Sequence, residues 1–212
     1  MKIKSLLFIT YLILFSFNSI SQNKERKFKI HTLAFYNLEN LFDTINDVNK
    51  NDEASPIMEI KFNRSGIYKQ KVANMAKVIS EIGYDVTNRP PSIIGICEVE
   101  NRKVVEDLIS NEKLSKYNYG IVHYDSPDRR GIDVGLLYNK DIFEVVNSSS
   151  HVLYINYNNT SNRSYTRDQL VVSGKLDGEL IHLIVNHWPS RGADETKRMA
   201  AAEVNNTIID SL

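Results

Sequence analysis

The sequence has 212 residues, 42% of them apolar and 25% charged, with one cysteine and 26 basic side chains against 26 acidic ones. A chain of this length and apolar content can bury one compact core, which excludes a disordered tail, a collagen-like fibre and a disulfide-stapled miniprotein. Balanced charge excludes a uniformly basic nucleic-acid binder and still leaves room for a local patch that steers a phosphate into a cleft.

In chain order, residues 1–21 come first. Lys2 and Lys4 precede an apolar run over 6–17, and small or polar residues follow up to Ser21. The run is well short of the roughly 20 residues a membrane span needs, so the segment reads as a secretory signal peptide. Residues 22–212 are then exported to the periplasm or the medium, with no integral membrane segment after cleavage. Removing Lys2 and Lys4 tips the remainder slightly acidic. Cys97 is a lone thiol, so no internal disulfide forms, and its neighbours Ile93, Ile94 and Ile96 point to a buried strand position.

Residues 28–38 read as a strand apolar on both faces, ending in the polar interruption Asn37-Leu38-Glu39-Asn40. Residues 43–63, rich in Asn, Asp and Glu, read as a long surface loop. Over 65–82 the positions Ile67, Val72, Met75, Ile79 and Ile82 recur at helical spacing, which predicts an amphipathic helix closed by Gly83. Residues 92–97 form a short apolar strand, followed at once by Glu98-Val99-Glu100-Asn101. A second helix is predicted over 104–114, strands over 117–124 and 132–138, and one or two weaker strands over 142–157. The stretch 156–163, with four asparagines, reads as a loop. Residues 169–176 and 180–186 form a hairpin around Asp177-Gly178. Asn186-His187-Trp188-Pro189 opens a loop, and 196–212 reads as a helix packing Met199, Ala202, Ile208, Ile209 and Leu212. The order predicts an α/β layered fold with a partly antiparallel sheet.

Polar clusters sit just beyond apolar strands at Asn37, Glu98 and His187, and strand ends gathered along one edge are a usual place for a site. A carboxylate released from a buried strand, as at Glu98, must be paired, neutralised or bound to a hard cation such as magnesium or calcium; the alternative is a solvated strand end bonded to a nearby turn. Asn37 offers an uncharged amide to a carboxylate or phosphate, or simply ends its strand. His187 offers an imidazole donor to a phosphoryl oxygen, or is a stacked surface histidine. Arg129, Arg130, Arg163, Arg167 and Arg191 fall in loops or at strand edges; guanidinium forks match phosphate geometry, although each also suits a solvated face. Asp133 and Asp168 are candidate partners that orient these arginines. His31, His123, His151 and His182 show no metal-ligand spacing.

Four segments taken together resemble the endonuclease/exonuclease/phosphatase family of metal-dependent phosphoesterases, and especially an exported bacterial subgroup. They are Asn37-Leu38-Glu39-Asn40-Leu41-Phe42-Asp43, Ile96-Cys97-Glu98-Val99-Glu100-Asn101, Arg130-Gly131-Ile132-Asp133-Val134 and Asn186-His187-Trp188-Pro189-Ser190-Arg191. The resemblance implies a four-layer α/β/β/α sandwich with mixed sheets, of which residues 22–212 are the N-terminal portion. It implies Glu98 as the ligand of Mg2+, or of Mn2+ or Ca2+ in its place, and Asn37 and His187 as catalytic groups of the phosphate network. Arg130, Arg167 and Arg191 become substrate-side positive charge. The implied function is a magnesium-dependent phosphoester hydrolase of nuclease or phosphodiesterase type, acting on a phosphoester substrate with nucleic acid as one class. The family pattern continues into Gly-Asp-x-Asn and Asp-His segments that do not follow here, so the resemblance implies an inactive portion. It also implies an inner sheet face that an oligomer or the remaining half would cover. The alternative is a non-catalytic exported binding or interaction protein built on the same fold.

Overall fold

The computed structural model describes residues 28–156 and 161–212, so the leader-like segment 1–21 and residues 157–160 of the predicted asparagine-rich loop lie outside the described residues. The chain divides into a unit Met1–Ile30 and a unit His31–Leu212, and the second holds every element named below. Along it run β1 (Leu33–Leu41), a 3-10 turn, the short α1 (Pro56–Glu59), α2 (Arg64–Glu81), the single-turn α3 (Tyr84–Thr87), β2 (Ile93–Val99) and α4 (Arg102–Ile109). They are followed by β3 (Tyr119–His123), β4 (Asp133–Asn139), β5 (Phe143–His151), β6 (Ile155–Asn156), β7 (Arg163–Ser164), β8 (Gln169–Leu176), β9 (Glu179–Val185) and α5 (Glu195–Ser211). Among the described residues no helix is long and apolar enough to cross a membrane.

The first sheet has the order β1-β2-β4-β3, with β1 and β2 parallel and the other pairs antiparallel; the second has the order β5-β8-β9. β2 reads as an unbroken apolar run because both of its faces are covered. Ile94, Ile96 and Val99 pack with Val72, Met75 and Ile79 of α2 and with Val104, Val105 and Leu108 of α4. Ile93 and Cys97, on the other face, pack with Val134 and Leu136 of β4 and with Phe143, Leu170, Val172 and Val185 of the second sheet. Gly95 makes room on both sides: a Cβ there would lie 2.9 Å from the ring of Phe35 on the neighbouring strand β1 and 3.4 Å from Val185 of the second sheet. Each fully buried aliphatic side chain in these clusters contributes roughly 1.5–3 kcal/mol. Leu33 and Phe35 of β1 remain about half exposed.

The mixed α/β architecture is as expected, and the described elements show it as helices on one sheet and that sheet on a second. Several boundaries differ from the predicted ones. β1 starts at Leu33 and continues to Leu41, because the polar residues read as its end lie within it at an irregularity in pairing. The predicted loop 43–63 holds a 3-10 turn and α1, with Pro56 at its first turn. α4 begins at Arg102, where Asn101 Oδ1 accepts from the Val104 amide at 3.1 Å. α2 ends as predicted, with Gly83 in the left-handed region at φ 65°. α5 buries Ala201 and Ile208, whereas Met199, Ile209 and Leu212 are more than half exposed. Its contact stripe is Ala200, Ala201 and Val204 against Leu153 and Ile155, a face offset from the predicted one.

Candidate active site

The parallel register of β1 and β2 runs from Leu33↔Ile93 to Asn37↔Cys97 and then slips on both strands at once. At the slip Glu39, Asn40 and Glu98 all adopt left-handed backbone, with φ 49°, 56° and 59°. Such conformations cost about 1–3 kcal/mol each for residues other than glycine, and bulges of this kind re-aim a side chain at the end of a ladder. On β2 the consequence is direct. Ile96 and Val99 both face the helices, Cys97 faces the second sheet, and the extra residue between them, Glu98, turns its carboxylate toward the bulge on β1.

There the carboxylate is held from two sides. Asn37 Nδ2 donates to Glu98 Oε1 at 2.9 Å, and the Asn40 amide donates to Oε2 at 3.0 Å. Asn37 is itself fixed through its Oδ1, which accepts from the Glu39 amide at 2.7 Å. From α2, Lys71 Nζ donates to the carbonyls of Glu39 and Asn40, so an ammonium pins the strained turn that presents the Asn40 amide. Burial holds the Lys71 amine below its ordinary pKa, against the pull of Glu39 and Glu98.

The third member arrives from the end of β9. His187 Nε2 lies 3.5 Å from Glu98 Oε1, and the two side chains are only 23% and 20% exposed. Burial, then the nearby Arg167 charge, depresses the His187 pKa below 6.5, so the ring is neutral at pH 7. Its Nδ1 is buried without a hydrogen-bond partner. A bare Nε2 facing a carboxylate would set lone pair against lone pair, so the neutral ring carries its proton on Nε2.

Arg167 builds the loop that carries this imidazole. Its Nε and Nη2 donate to the His187 carbonyl at 3.1 and 2.9 Å, Nη2 also reaches the Trp188 carbonyl at 3.1 Å, and Nη1 reaches Asp128 Oδ2 at 3.3 Å. Its side chain is 9% exposed. Burial raises the Asp128 carboxyl, but bonds from Arg130 and the charge of Arg167 outweigh it and hold the group below its ordinary range. Arg130, paired with Asp128 at 3.2 Å, keeps a 56% exposed side chain and lines, with Asn40, Asn51, Ser55 and Ile132, a cavity of about 260 Å³.

The predicted residues Asn37, Glu98 and His187 thus meet in one cluster, Arg167 backs it from below, and Arg130 stands at the rim. Arg191 is exposed in the loop between β9 and α5, outside this hydrogen-bond network. Asp128, rather than Asp133 or Asp168, is the carboxylate that orients Arg130 and Arg167. Asp133 instead accepts from the Ser126 amide at 2.8 Å and faces His123 Nε2 at 3.2 Å, and Asp168 takes a bond from Ser150. His123, Asp125 and Asp133 form an acid and imidazole group whose ligand atoms lie within 4.8 Å of one another. Asn40, Lys71 and Asp128 carry the site without a signal at the level of spacing, although Asn40 lies inside the quoted motif.

Glu98 fits a hard divalent cation by its chemistry. Each oxygen accepts one hydrogen bond and retains lone pairs, and magnesium is commonly held by one or two carboxylates together with water and substrate oxygens. A family model for the Endonuclease/Exonuclease/phosphatase family matches residues 32–212. The chain belongs to this family. The family groups endonucleases, exonucleases and phosphatases. Among solved structures, the chain resembles an endonuclease/exonuclease/phosphatase protein from Bacteroides vulgatus, with 16% identity and a TM-score of 0.51 over 84% of this chain and 59% of that one. A mannosyl-6-phosphatase from Bacteroides thetaiotaomicron has 14% identity and a TM-score of 0.50 over 84% of this chain and 58% of that one. At these identities the likeness speaks for the fold, and the chain spans under two thirds of the length of either. No curated protein matches by sequence.

Proposed function

We propose that residues 32–212 carry the metal- and phosphate-holding part of an exported phosphoester hydrolase of nuclease or phosphodiesterase type that works with Mg2+, or with Mn2+ or Ca2+ in its place. The observation that carries this reading is the Glu98 carboxylate, fixed by Asn37 and Asn40 and standing 3.5 Å from the Nε2 of His187. Export rests on the leader-like character of residues 1–21.

Glu98 would hold the cation, which when bound neutralises charge on the phosphoryl group and activates water. Asn37 sets the carboxylate's orientation and Lys71 sets the turn that completes it. His187 donates from Nε2 to a phosphoryl oxygen, and because the ring is neutral it acts as a hydrogen-bond donor rather than as a second cation. Arg167 is a positioning residue here: its guanidinium is buried against the His187 and Trp188 carbonyls, so substrate contact falls to Arg130 and Arg191. Asp128 is neutralised by two arginines and makes a poor general base.

Calorimetric titration of the chain with Mg2+, beside Glu98→Gln, tests the reading. Binding by the parent chain and its loss in Glu98→Gln, with thermal unfolding unchanged in form, is the expected result. Equal heats from both proteins would remove Glu98 from the metal site and the reading with it.

A further inference from the structure

The two-stranded ribbon of β6 and β7 pairs Ile155 with Ser164 and Asn156 with Arg163. Ile155 and Ser164 are buried, with Ile155 seated on Leu153 and Ala201, so by the alternation of a strand Tyr154, Arg163 and Tyr165 share the opposite, outward face. They stack there. The Arg163 guanidinium lies 4.1 Å from the Tyr154 ring centroid and 4.8 Å from that of Tyr165, and the Arg129 guanidinium lies 5.1 Å from the Tyr165 ring. Nε and Nη2 of Arg163 are buried without a hydrogen-bond partner. With two of its nitrogens unbonded and its guanidinium against two rings, Arg163 ties the tyrosines into one platform, with the Asp168 charge nearby.

The platform is open at both ends. Tyr154 is 68% exposed and Tyr165 42% exposed, with tyrosines normally preferring to bury their rings. At the other end Arg129 is exposed and is the immediate chain neighbour of Arg130, which lines the cavity beside Asn40. A ladder of aromatic faces and fixed positive charge that begins at a phosphate-handling site matches the requirements of a single-stranded nucleic acid. Every base offers a face to stack on a ring, and every nucleotide brings a phosphate for an arginine. A sugar can also lay a C–H face on a tyrosine ring, so a mannose phosphate is the competitor that the test must separate from a nucleotide.

We propose that Tyr154, Arg163, Tyr165 and Arg129 form a stacking platform that takes unpaired nucleotides of a single-stranded nucleic acid beside the phosphoester site; the proposal rests on the phosphoester reading of that site and narrows its substrate class. The platform does not choose among bases, because stacking is sequence-tolerant.

The test is fluorescence anisotropy of a labelled oligothymidylate of about ten nucleotides against the full chain in EDTA, which reads the platform without the metal. Tyr154→Ala is expected to weaken binding by about 5- to 100-fold, while Tyr154→Phe, which keeps the ring, stays within about threefold. Arg129→Gln is expected to flatten the dependence of log affinity on log salt by about 0.7. Circular dichroism confirms that each variant is folded, and Tyr154→Leu, which removes the ring but keeps apolar volume, takes the place of the alanine variant if that one is not. Three results overturn the platform: Tyr154→Ala binding like the parent, Tyr154→Phe binding like Tyr154→Ala, or an abasic strand or a mannose phosphate competing as well as the intact oligonucleotide. The Mg2+ titration of Glu98→Gln is read in parallel. Mg2+ binding that Glu98→Gln abolishes, together with Tyr154-independent oligonucleotide affinity, overturns the platform alone; equal Mg2+ binding by parent and Glu98→Gln, with the same oligonucleotide result, overturns it together with the site reading.

Discussion

Glu98 sits in a backbone conformation that suits glycine, and it is the residue on which the site turns. A fold selected for stability alone would place glycine there, so the strain marks a position where the side chain is required. Replacement separates the two requirements. Glu98→Gly is expected to be as stable as the parent or up to about 1 kcal/mol more stable. Glu98→Val, with a β-branched side chain at positive φ, is expected to lose about 2 kcal/mol or more. Both should lose Mg2+ binding, and urea unfolding of the two variants checks the order; equal stabilities would mean that the left-handed backbone carries no strain. Glu98, Asn37 and His187 were legible in the sequence because each is a polar residue at the point where an apolar run stops. Asn40, Lys71 and Asp128 were not. Their roles depend on a backbone amide, a carbonyl pair and a charge compensation that join positions 58, 31 and 39 residues apart, and no local pattern records such bonds.

At the scale of elements, the bulge on β1 is held by a helix. Lys71 reaches from α2 to the Glu39 and Asn40 carbonyls, and the same turn gives the Asn40 amide to Glu98. Lys71→Met keeps the apolar stem of the side chain and removes the charged donor, leaving the two carbonyls to water; the expected cost is about 1–3 kcal/mol. The local consequence is more telling than the global one. Hydrogen exchange at the Asn40 amide should accelerate in Lys71→Met beyond the change seen in α4, and equal acceleration in both would show that Lys71 serves general packing only. α2 was legible as a helix from the spacing of Val72, Met75 and Ile79, which face the core as expected. The face of α5 was not, because Met199, Ile209 and Leu212 fall at helical spacing while the surface offered by Leu153 and Ile155 meets Ala201 and Val204. Periodicity tells that a helix is amphipathic; the shape of its partner decides which stripe is covered.

At the scale of the molecule, the mixed α/β class followed from the order of elements, but the strand order β1-β2-β4-β3 did not, since β2 pairs across its own helix with β4 before β3 is reached. On its other edge β2 runs parallel to β1, which brings Glu100, just past the end of β2, against the start of the loop after β1, where the Asp43 amide donates to its Oε2 at 2.7 Å. Burial pushes the Glu100 carboxyl up to about 7, with Asp43, Asp52 and Asp47 adding to the shift and the Asp43 amide opposing it. A carboxyl whose pKa is raised from 4.5 to about 7 on folding binds more protons in the native state than in the unfolded one between those values. Its stabilising contribution is therefore complete below 4.5 and is lost as pH rises through about 7. His187 has the opposite sign: its pKa is depressed below 6.5, so its contribution is complete above 6.5 and is lost as pH falls through the native value. Over the range where both titrate the two trends offset each other in the parent chain. Glu100→Gln separates them. In EDTA, with no metal bound, urea unfolding should show the variant more stable than the parent at pH 8 by about 1–3 kcal/mol, because no charge is then buried. That advantage should shrink steadily as pH falls from about 7 toward 4.5 and level off below 4.5, where the parent's carboxyl becomes protonated in the unfolded state as well. A constant difference across this range would place the Glu100 titration outside it, and the buried acidic corner between β2 and the loop after β1 would then have to be charged in the folded protein.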